Sequence, residues 1–272
     1  MSDTSQVVNY DRRAIPDADG AVVTITLNRP HELNAMTWEL IEAFDAAIAK
    51  VESDPEVRAV LVTGSGRAFS AGGDLKKYIT LQRDPVRFPR FVADLHAAFG
   101  RLRTLRAPVI ALVNGVAAAG GLELLLNCDL AIAAASARIG DAHLNFGQMG
   151  GGGVLTLLPR IIGVQRAAEL ILTGKFLAAE TAVQWGLVSK VVPDDTLVAA
   201  GMAVVADIAA KSPLAVANAK YVMNTVWAES LSVTSGLRLE LERNAVYCLT
   251  SHDAREGLAA FNEKRAPEFT GR

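Results

Sequence analysis

The sequence predicts a mixed α/β core followed by a helical C-terminal region. Apolar and β-branched runs alternate with helical patterns as far as residue 193. Two of those runs lead into loops rich in Gly and Ala, and no strand pattern appears from Asp194 onward. We therefore divide the chain near residue 193, with residues 1–193 as an α/β core domain and residues 194–272 as a helical region.

Length and composition indicate a globular protein with a sizeable core. The 272 residues are 51% hydrophobic and 21% charged, which excludes a disordered chain. The net charge is −2, from 27 basic and 29 acidic residues, and no basic block occurs. Nucleic acid and anionic membrane are therefore not expected as partners, because both require concentrated positive charge.

The cysteines and the N-terminal residues indicate the cellular compartment of the protein. Cys128 and Cys248 form neither a CxxC motif nor a disulfide framework, so a reducing compartment is expected. Met1 to Gln6 is polar and lacks the pattern of a signal or transit peptide. No apolar run reaches the length of a membrane span. Together these observations predict a cytoplasmic protein.

The first elements are a strand, a helix and a second strand. Val22 to Leu27 is β-branched and reaches Asn28-Arg29-Pro30, which ends the strand. Thr37 can cap the helix that follows, whose apolar positions recur at helical spacing. Asp54-Pro55 ends this helix, and Val57 to Thr63 is a buried strand.

Two small-residue loops follow strands and could serve one site. The first runs from Gly64 to Lys76 and lacks the Gly-Lys-Ser/Thr ending of a phosphate-binding loop. The second follows the apolar strand Pro108 to Val113, turns at Asn114-Gly115 and continues as an Ala/Gly run into a helix. Each loop could direct a backbone N–H at the same oxygen atom, which is the arrangement of an oxyanion hole.

Glu123 is the polar exception in the helix after the second loop, where its neighbours are leucines. The first N–H groups of a helix have no internal acceptor, and small residues there allow close approach of a ligand. A carboxyl group in apolar surroundings has a raised pKa and can transfer protons. The alternative is a tight packing corner in which Glu123 points to solvent.

Two further polar features lie in the middle of the chain. Six arginines between residues 83 and 106 surround an apolar helix, and they form either a solvated cationic face or a surface that attracts an anionic ligand. His143 precedes a four-glycine run, Gly150 to Gly153, at the start of a predicted helix. This histidine is either structural or part of a site, and the glycines permit a tight turn.

Strands and helices continue to alternate until residue 193. We predict strands at 129–134, 136–141 and 187–192, a helix at 164–172 that Thr173-Gly174 ends, and a short helix at 178–186. Four helices complete the chain, at 194–210, 213–227, 231–249 and 252–264.

Taken together, six motifs in this order resemble the crotonase, or enoyl-CoA hydratase/isomerase, superfamily. The resemblance extends from about Val22 to the C-terminus, and each motif is weak alone. The motifs are Leu27-Asn28-Arg29-Pro30 with Leu33-Asn34-Ala35; Arg67 to Leu75; Pro108 to Gly115 leading to Glu123; Leu172-Thr173-Gly174; Ala182 to Val188; and Ala260 to Arg265.

The resemblance implies a fold and a substrate. The fold is a spiral of ββα repeats with a C-terminal helical region that forms trimers or dimers of trimers. The substrate is an acyl-CoA thioester, whose enolate is stabilised by the N–H groups of Gly73 and Gly120. No metal and no permanently bound cofactor are expected, since coenzyme A arrives as part of the substrate. The implied substrate and CoA contacts are Arg29, His31, Leu33, Ala71, Gly73, Asp74, Leu75 and Lys76, with Phe261 and Lys264 reaching the CoA of a neighbouring subunit.

The chain departs from the family at one catalytic position. Hydratases of the family use two glutamates on one water, and the first of these matches Glu123. The second belongs to a Gly-x-Pro-Glu motif, which here reads Gly140-Asp141-Ala142-His143. His143 therefore replaces a carboxylate, and a Glu/His pair can still act as acid and base.

Three functions remain open from the resemblance. The first is an enoyl-CoA hydratase/isomerase, a lyase of fatty acid metabolism, with Glu123 as acid/base and His143 as its partner. The second is a CoA-thioester hydrolase or lyase, or a β-diketone C–C hydrolase. The family's β-diketone hydrolases have a His near the position of His143 but also use an Asp further along the chain, where this sequence has Gly150 to Gly153. The third is a non-catalytic homologue, against which Glu123 argues. Residues 76–99 and the C-terminal helices are expected to form the pocket walls.

Overall fold

A computed structural model describes residues 6–272 and confirms the mixed α/β class. The expectation that Met1 to Gln6 holds no targeting peptide falls almost wholly on residues 1–5, which lie outside the described part. The strands are β1 (Val8–Ala14), β2 (Ala21–Leu27), β3 (Val57–Gly64), β4 (Ala68–Ser70), β5 (Val109–Val113), β6 (Val116–Ala118), β7 (Leu130–Ala134), β8 (Arg138–Gly140), β9 (Phe176–Ala178) and β10 (Lys190–Val192).

Helices connect these strands and then complete the chain. They are α1 (Trp38–Ser53), α2 (Leu75–Leu81), α3 (Arg87–Thr104), α4 (Gly120–Leu126), α5 (Val154–Ile162), α6 (Val164–Thr173), α7 (Ala179–Gln184), α8 (Leu197–Ala209), α9 (Pro213–Ala228), α10 (Val233–Thr250) and α11 (His252–Glu263). Short 3₁₀ helices occur at Pro30–Glu32, His143–Phe146 and Asp194–Thr196.

Two sheets form the core, and the strands from β3 to β8 alternate between them. The larger sheet has the order β1-β2-β3-β5-β7-β10 and the smaller the order β4-β6-β8-β9. Pairing is parallel except that β1 runs antiparallel to β2 and β9 antiparallel to β8. The chain passes from β3 to β4, from β5 to β6 and from β7 to β8, and helices follow each pair. This is the expected spiral of ββα repeats.

Strands β1, β4, β6 and β9 were not expected from the sequence pattern. Three of them are only three residues long, too short to show an alternation of apolar and polar residues. β1 is longer, but its residues are mostly polar and largely exposed at a sheet edge. Pairing with neighbouring strands, and not local sequence, makes these segments extended.

Local signals placed the helix ends correctly. The Thr37 side chain accepts a hydrogen bond from the Leu40 N–H and caps α1, as predicted. Gly174 adopts the left-handed conformation and its N–H donates to the Leu170 carbonyl at the end of α6, which confirms the predicted C-terminal glycine. Both signals depend on residues within one helical turn.

Both faces of the larger sheet are covered. α1 and α3 pack on one face within the main core, where Phe44 and Phe99 meet edge to face at 6.1 Å. On the other face, Leu197 and Val205 of α8 pack in a second apolar cluster with Leu112 and other residues of the strands. The first helix after residue 193 therefore packs on the core sheet, and the division into two domains stays a prediction.

α9, α10 and α11 lie beyond this layer and expose many apolar side chains. Exposed examples are Met223, Val233, Leu237, Leu241 and Phe261. Within the part of the chain described, no single helix is both long and apolar enough to cross a membrane; residues 194–209 and 213–228 meet the length and hydropathy criteria only as a pair, bent by 106°.

Candidate active site

A cavity of about 430 Å³ lies between α2, α3, the start of α4 and the segment after β8. Apolar side chains from α2 and α3 form one wall, which agrees with the expected contribution of residues 76–99. The C-terminal helices do not contribute to the lining in the described chain, so that part of the expectation is wrong. Residues 142–152 form the opposite wall instead. The lining consists of Ala71, Gly73, Leu75, Tyr78, Phe88, Val92, Leu95, Ala119, Gly120, Glu123, Ala142, His143, Phe146, Gln148, Met149, Gly150, Gly151 and Gly152.

Glu123 lies in α4 with its side chain directed into the cavity, and it is only 2% exposed. The alternative of a glutamate pointing to solvent is therefore wrong. Its Oε1 accepts hydrogen bonds from the N–H groups of Gly152, at 2.7 Å, and Val154, at 3.3 Å. Burial raises the pKa of Glu123, and this effect exceeds the opposing influence of His143 and of the two N–H donors. The carboxyl group is thus oriented by backbone and suited to proton transfer.

The glycine run leaves room for this carboxyl group. A Cβ on Gly152 would lie 2.6 Å from Glu123 Oε2, and one on Gly150 would lie 2.9 Å from Glu123 Oε1. Neither residue has a positive φ angle, so the requirement at both positions is for space. The run therefore lines the site as well as forming the turn that leads into α5.

His143 lies at the start of the 3₁₀ helix after β8 and faces Glu123. Its Nε2 is 4.0 Å from Glu123 Oε2, while its Nδ1 is hydrogen bonded to Asp141 Oδ1. Burial lowers the pKa of His143, but the hydrogen bond with Asp141 and the charges of Glu123 and Asp141 outweigh it, and the pKa is raised. Glu123 and His143 thus face each other in the cavity wall, and Asp141, outside the lining, is hydrogen bonded to the other ring nitrogen of His143.

The two small-residue loops meet at this cavity. A Cβ on Gly72 would lie 3.1 Å from the amide nitrogen of Gly120, and Gly120 is the first residue of α4, so its N–H has no acceptor within the helix. In the other loop, Met36 N donates to Gly72 O and Asp74 N donates to Met36 O. The N–H of Gly73, which lies between Gly72 and Asp74, takes no part in this pairing. Two backbone donors, Gly73 and Gly120, therefore line one cavity.

Tyr78 occupies the space that a side chain at position 73 would fill. A Cβ on Gly73 would lie 2.9 Å from Tyr78 Cε2 and 3.3 Å from its hydroxyl oxygen. The ring packs edge to face against Phe88 and Phe91 at 5.7 and 5.5 Å. Burial, together with the charge of Glu123, raises the pKa of Tyr78 to about 12, so its hydroxyl remains protonated near neutral pH.

The other residues expected to bind substrate divide into three groups. Ala71 and Leu75 line the cavity. Arg29 and Asp74 form an ion pair at 3.1 Å behind it, and Leu33 O accepts a hydrogen bond from Ala71 N, so these three residues support the loop. The rest are exposed and lie outside the lining: His31, Lys76, Phe261 and Lys264.

None of the six arginines between residues 83 and 106 lines the cavity, although apolar residues of the same segment do. Arg101 forms ion pairs with Asp45 and Glu52, and Arg103 lies over the Trp227 ring at 5.4 Å. These contacts join α3 to α1 and α9. Three more have structural partners: Arg87 lies over the Trp38 ring, Arg90 pairs with Asp94, and Arg106 donates to the Pro55 carbonyl. The anionic-ligand alternative is untested.

Sequence reasoning did not identify Asp141 and Tyr78 as site residues. Asp141 is part of the departing motif and could have been noticed as an acidic residue two positions before a candidate histidine. Tyr78 offers a weaker signal, since an aromatic residue four positions after Asp74 is equally consistent with simple packing. Both become evident only when β8 and α2 are placed on opposite sides of Glu123.

Comparison with known proteins shows the family of the chain. Residues 17–272 match the family described as enoyl-CoA hydratase/isomerase. The chain is 40% identical to a probable enoyl-CoA hydratase of Mycobacterium tuberculosis over 94% of its length and 97% of the relative, and 35% identical to the mitochondrial enoyl-CoA hydratase of Pongo abelii over 92% and 84%. The crystal structure of enoyl-CoA hydratase from Bacillus anthracis superimposes with a TM-score of 0.90 at 34% identity, covering 98% of this chain and 100% of that one.

Proposed function

Because the chain belongs to the enoyl-CoA hydratase/isomerase family, we propose that this acyl-CoA-processing enzyme adds water across the 2,3 double bond of an enoyl-CoA thioester. The observation that carries the proposal is the pair of buried Glu123 and half-buried His143, whose Oε2 and Nε2 atoms lie 4.0 Å apart in the cavity wall. The pair stands beside the two backbone donors of Gly73 and Gly120. The acyl chain that the cavity accepts remains open.

In the proposed reaction, the thioester oxygen accepts hydrogen bonds from the N–H groups of Gly73 and Gly120. Water oxygen forms a bond to C3 as Glu123 carboxylate takes the water proton, and the π electrons move through C2 to the thioester oxygen. The enolate then re-forms the carbonyl as C2 takes a proton from the His143 imidazolium. Oxyanion donors of this kind are worth about 10²–10³-fold in rate each.

After this step Glu123 is protonated and His143 is neutral. Return of the proton from the carboxyl group to the imidazole restores the starting pair, and the 4.0 Å separation allows one water to carry it. Water is the only reactant besides the thioester, so no external reductant or oxidant enters. Double-bond isomerisation would use the same two backbone donors to stabilise a dienolate, which forms when the pair removes a proton from C4 and is consumed when the pair returns a proton to C2.

The CoA part of the substrate is proposed to bind outside the cavity. Lys76 is exposed and offers positive charge to CoA phosphates, and the exposed His31 can donate a hydrogen bond to them, while Arg29 is held by Asp74. Phe261 and Lys264 lie at the end of α11 and are proposed to reach the CoA of a neighbouring subunit. This arrangement requires an oligomer, and we propose a trimer or a dimer of trimers built through residues 194–272.

Crotonyl-CoA hydration by wild type and Glu123→Gln tests the proposal. The variant retains an acceptor for the backbone N–H groups but loses the base, so turnover is expected to fall by about 10²-fold or more. Glu240→Gln is the matched control, because Glu240 is exposed on α10. Equal turnover in wild type and Glu123→Gln would remove Glu123 from the mechanism, and no turnover of any acyl-CoA by wild type would favour the non-catalytic homologue.

A second candidate function is hydrolysis of a CoA thioester or of a carbon–carbon bond in a β-diketone. The observation that favours it is the Asp141–His143 hydrogen bond, because a histidine paired with a carboxylate can activate water for attack on a carbonyl. The region 150–153 lacks the later Asp expected for such enzymes, and here the carboxylate precedes the histidine. Release of free CoA or of a cleaved acid from such substrates, without crotonyl-CoA hydration, would favour this function.

A further inference from the structure

We propose that Asp141 is a positioning residue that holds His143 as an imidazolium with Nε2 directed at Glu123, and that it thereby makes His143 the proton donor to C2. The inference rests on the proposed hydration reaction. It concerns a residue that does not line the cavity and acts only through His143.

The backbone holds Asp141 in place beside the proposed oxyanion loop. Gly140, the preceding residue, ends β8 and pairs with Ala118 at the end of β6. The Ala119 N–H also donates to the Gly140 carbonyl, at 3.2 Å, one residue before the proposed donor Gly120. The carboxylate of Asp141, only 1% exposed, therefore has a defined position relative to both the oxyanion loop and the histidine.

The hydrogen bond to Asp141 determines which nitrogen of His143 faces the cavity. An ionised carboxylate only accepts, so the imidazole Nδ1 must donate its proton to Asp141 Oδ1. The ring then presents Nε2 to Glu123 Oε2, across a gap of 4.0 Å. Without the carboxylate, either ring nitrogen could carry the single proton of a neutral imidazole.

The charges around His143 favour the imidazolium. Glu123 faces it from α4 and Asp141 from its own segment, and the phenol of Tyr78, which lines the same cavity from α2, remains neutral. Among the described residues that line the cavity, none is Lys or Arg. Two acidic groups therefore act on one imidazole with no competing cation in the lining, which agrees with the raised pKa of His143.

Asp141 has a second feature that suits a charge-based role. Its Oδ2 is buried and has no hydrogen-bond partner among residues 6–272. A purely structural carboxylate in the core would normally have both oxygens satisfied. The hydrogen bonds of this carboxylate instead all involve Oδ1 and His143, at the ring and, at 3.5 Å, at the backbone N–H. Asp141→Asn can preserve these contacts through its amide oxygen while removing the charge.

The pH dependence of crotonyl-CoA hydration tests the proposal. Wild-type turnover is expected to fall as pH rises through the raised pKa of His143, because the proton donor is lost. In Asp141→Asn this fall moves to lower pH, so that kcat measured above the midpoints of both proteins decreases about 10-fold for each pH unit of displacement, while KM changes little. Asp19→Asn, an exposed substitution between β1 and β2, is the matched control.

Histidine NMR separates this proposal from the proposed function. The chain has four histidines, and His143→Gln assigns the resonance. A lower titration midpoint for His143 in Asp141→Asn supports the proposal even if wild type hydrates no enoyl-CoA. An unchanged midpoint, with an unchanged pH profile in an active enzyme, overturns it. If Asp141→Asn does not fold, NMR of the His143 ring nitrogens in wild type tests the proposal instead. A neutral His143 imidazole with its proton on Nε2 at pH 7 would also overturn the proposal.

Discussion

The orientation of Glu123 depends on one residue in particular, Gly152. The Gly152 N–H donates the shorter of the two hydrogen bonds that Glu123 Oε1 accepts, and the absence of a side chain on Gly152 leaves room for Oε2. An added Cβ would meet Oε2 at 2.6 Å and Leu95 Cδ2 at 2.7 Å. The carboxyl group would have to move, whereas the backbone conformation at 152 is open to any residue.

Gly152→Ala is therefore expected to lower crotonyl-CoA turnover by about 10-fold or more while leaving the fold intact, because a displacement of about 1 Å in a catalytic group can cost 10²-fold. Gly100→Ala is the matched control. Gly100 lies within α3, and a Cβ there would meet nothing within 4 Å, so activity should not change. Turnover by Gly152→Ala equal to wild type would show that the position of Glu123 tolerates the extra methyl group.

At the scale of elements, Asp253 joins the start of α11 to two other segments. Its carboxylate accepts a hydrogen bond from the Ser212 hydroxyl, at 2.6 Å, and Ser212 also caps α9. The N–H groups of Thr270 and Gly271, in the C-terminal tail, donate to the same carboxylate at 2.8 and 3.0 Å. Burial raises the pKa of Asp253, but these hydrogen bonds outweigh it and hold the pKa below its usual value.

Asp253→Asn is expected to lower the free energy of unfolding by about 1–3 kcal/mol at pH 7, because it replaces an ionised acceptor with a neutral amide. Since the folded-state pKa is depressed, the wild-type contribution is present above the unfolded pKa and is lost as pH falls through the folded pKa. Urea unfolding at pH 7 and below pH 4 measures both effects. The free energies of unfolding of wild type and Asp253→Asn should become more similar in acid. A difference in stability that does not diminish in acid would contradict the assignment.

At the scale of the whole molecule, the helices after α8 leave an apolar surface uncovered. Val233, Leu237 and Leu241 recur every four residues along α10 and are all exposed. Residues at this spacing lie on one face of a helix. Large contiguous apolar surfaces on a folded chain mark sites of association, which supports the proposal that residues 194–272 form the subunit interface.

Leu237→Asp combined with Leu241→Asp is expected to convert a trimer or hexamer into smaller species, because it places two charges in the proposed interface. Light scattering after size-exclusion chromatography measures the mass, and the wild-type chain alone is 28.8 kDa. Leu172→Asp is the control, since Leu172 is equally exposed but lies on α6. A wild-type mass of one chain, or a double variant of unchanged mass, would count against this interface.

The sequence by itself determined the features that depend on neighbouring residues. The cap at Thr37, the end of α6 at Gly174 and the four C-terminal helices follow from signals within one or two helical turns. The family also follows from the sequence, because short motifs in a constant order can be recognised without knowing which residues they contact. Glu123 and the two small-residue loops were found in this way.

The tertiary structure decided what depends on residues far apart in the chain. β4, β6 and β9 are extended because other strands pair with them. The buried carboxyl group of Glu123 is oriented by the N–H groups of Gly152 and Val154, about 30 residues later in the chain. Asp141 can act on the site because the segment after β8 brings His143 to face Glu123 in α4. Burial and the approach of charged groups depend on distances in the folded chain. For this reason the contact of Asp141 with His143 was found only in the fold, although Glu123 and His143 were already paired as candidates from the sequence.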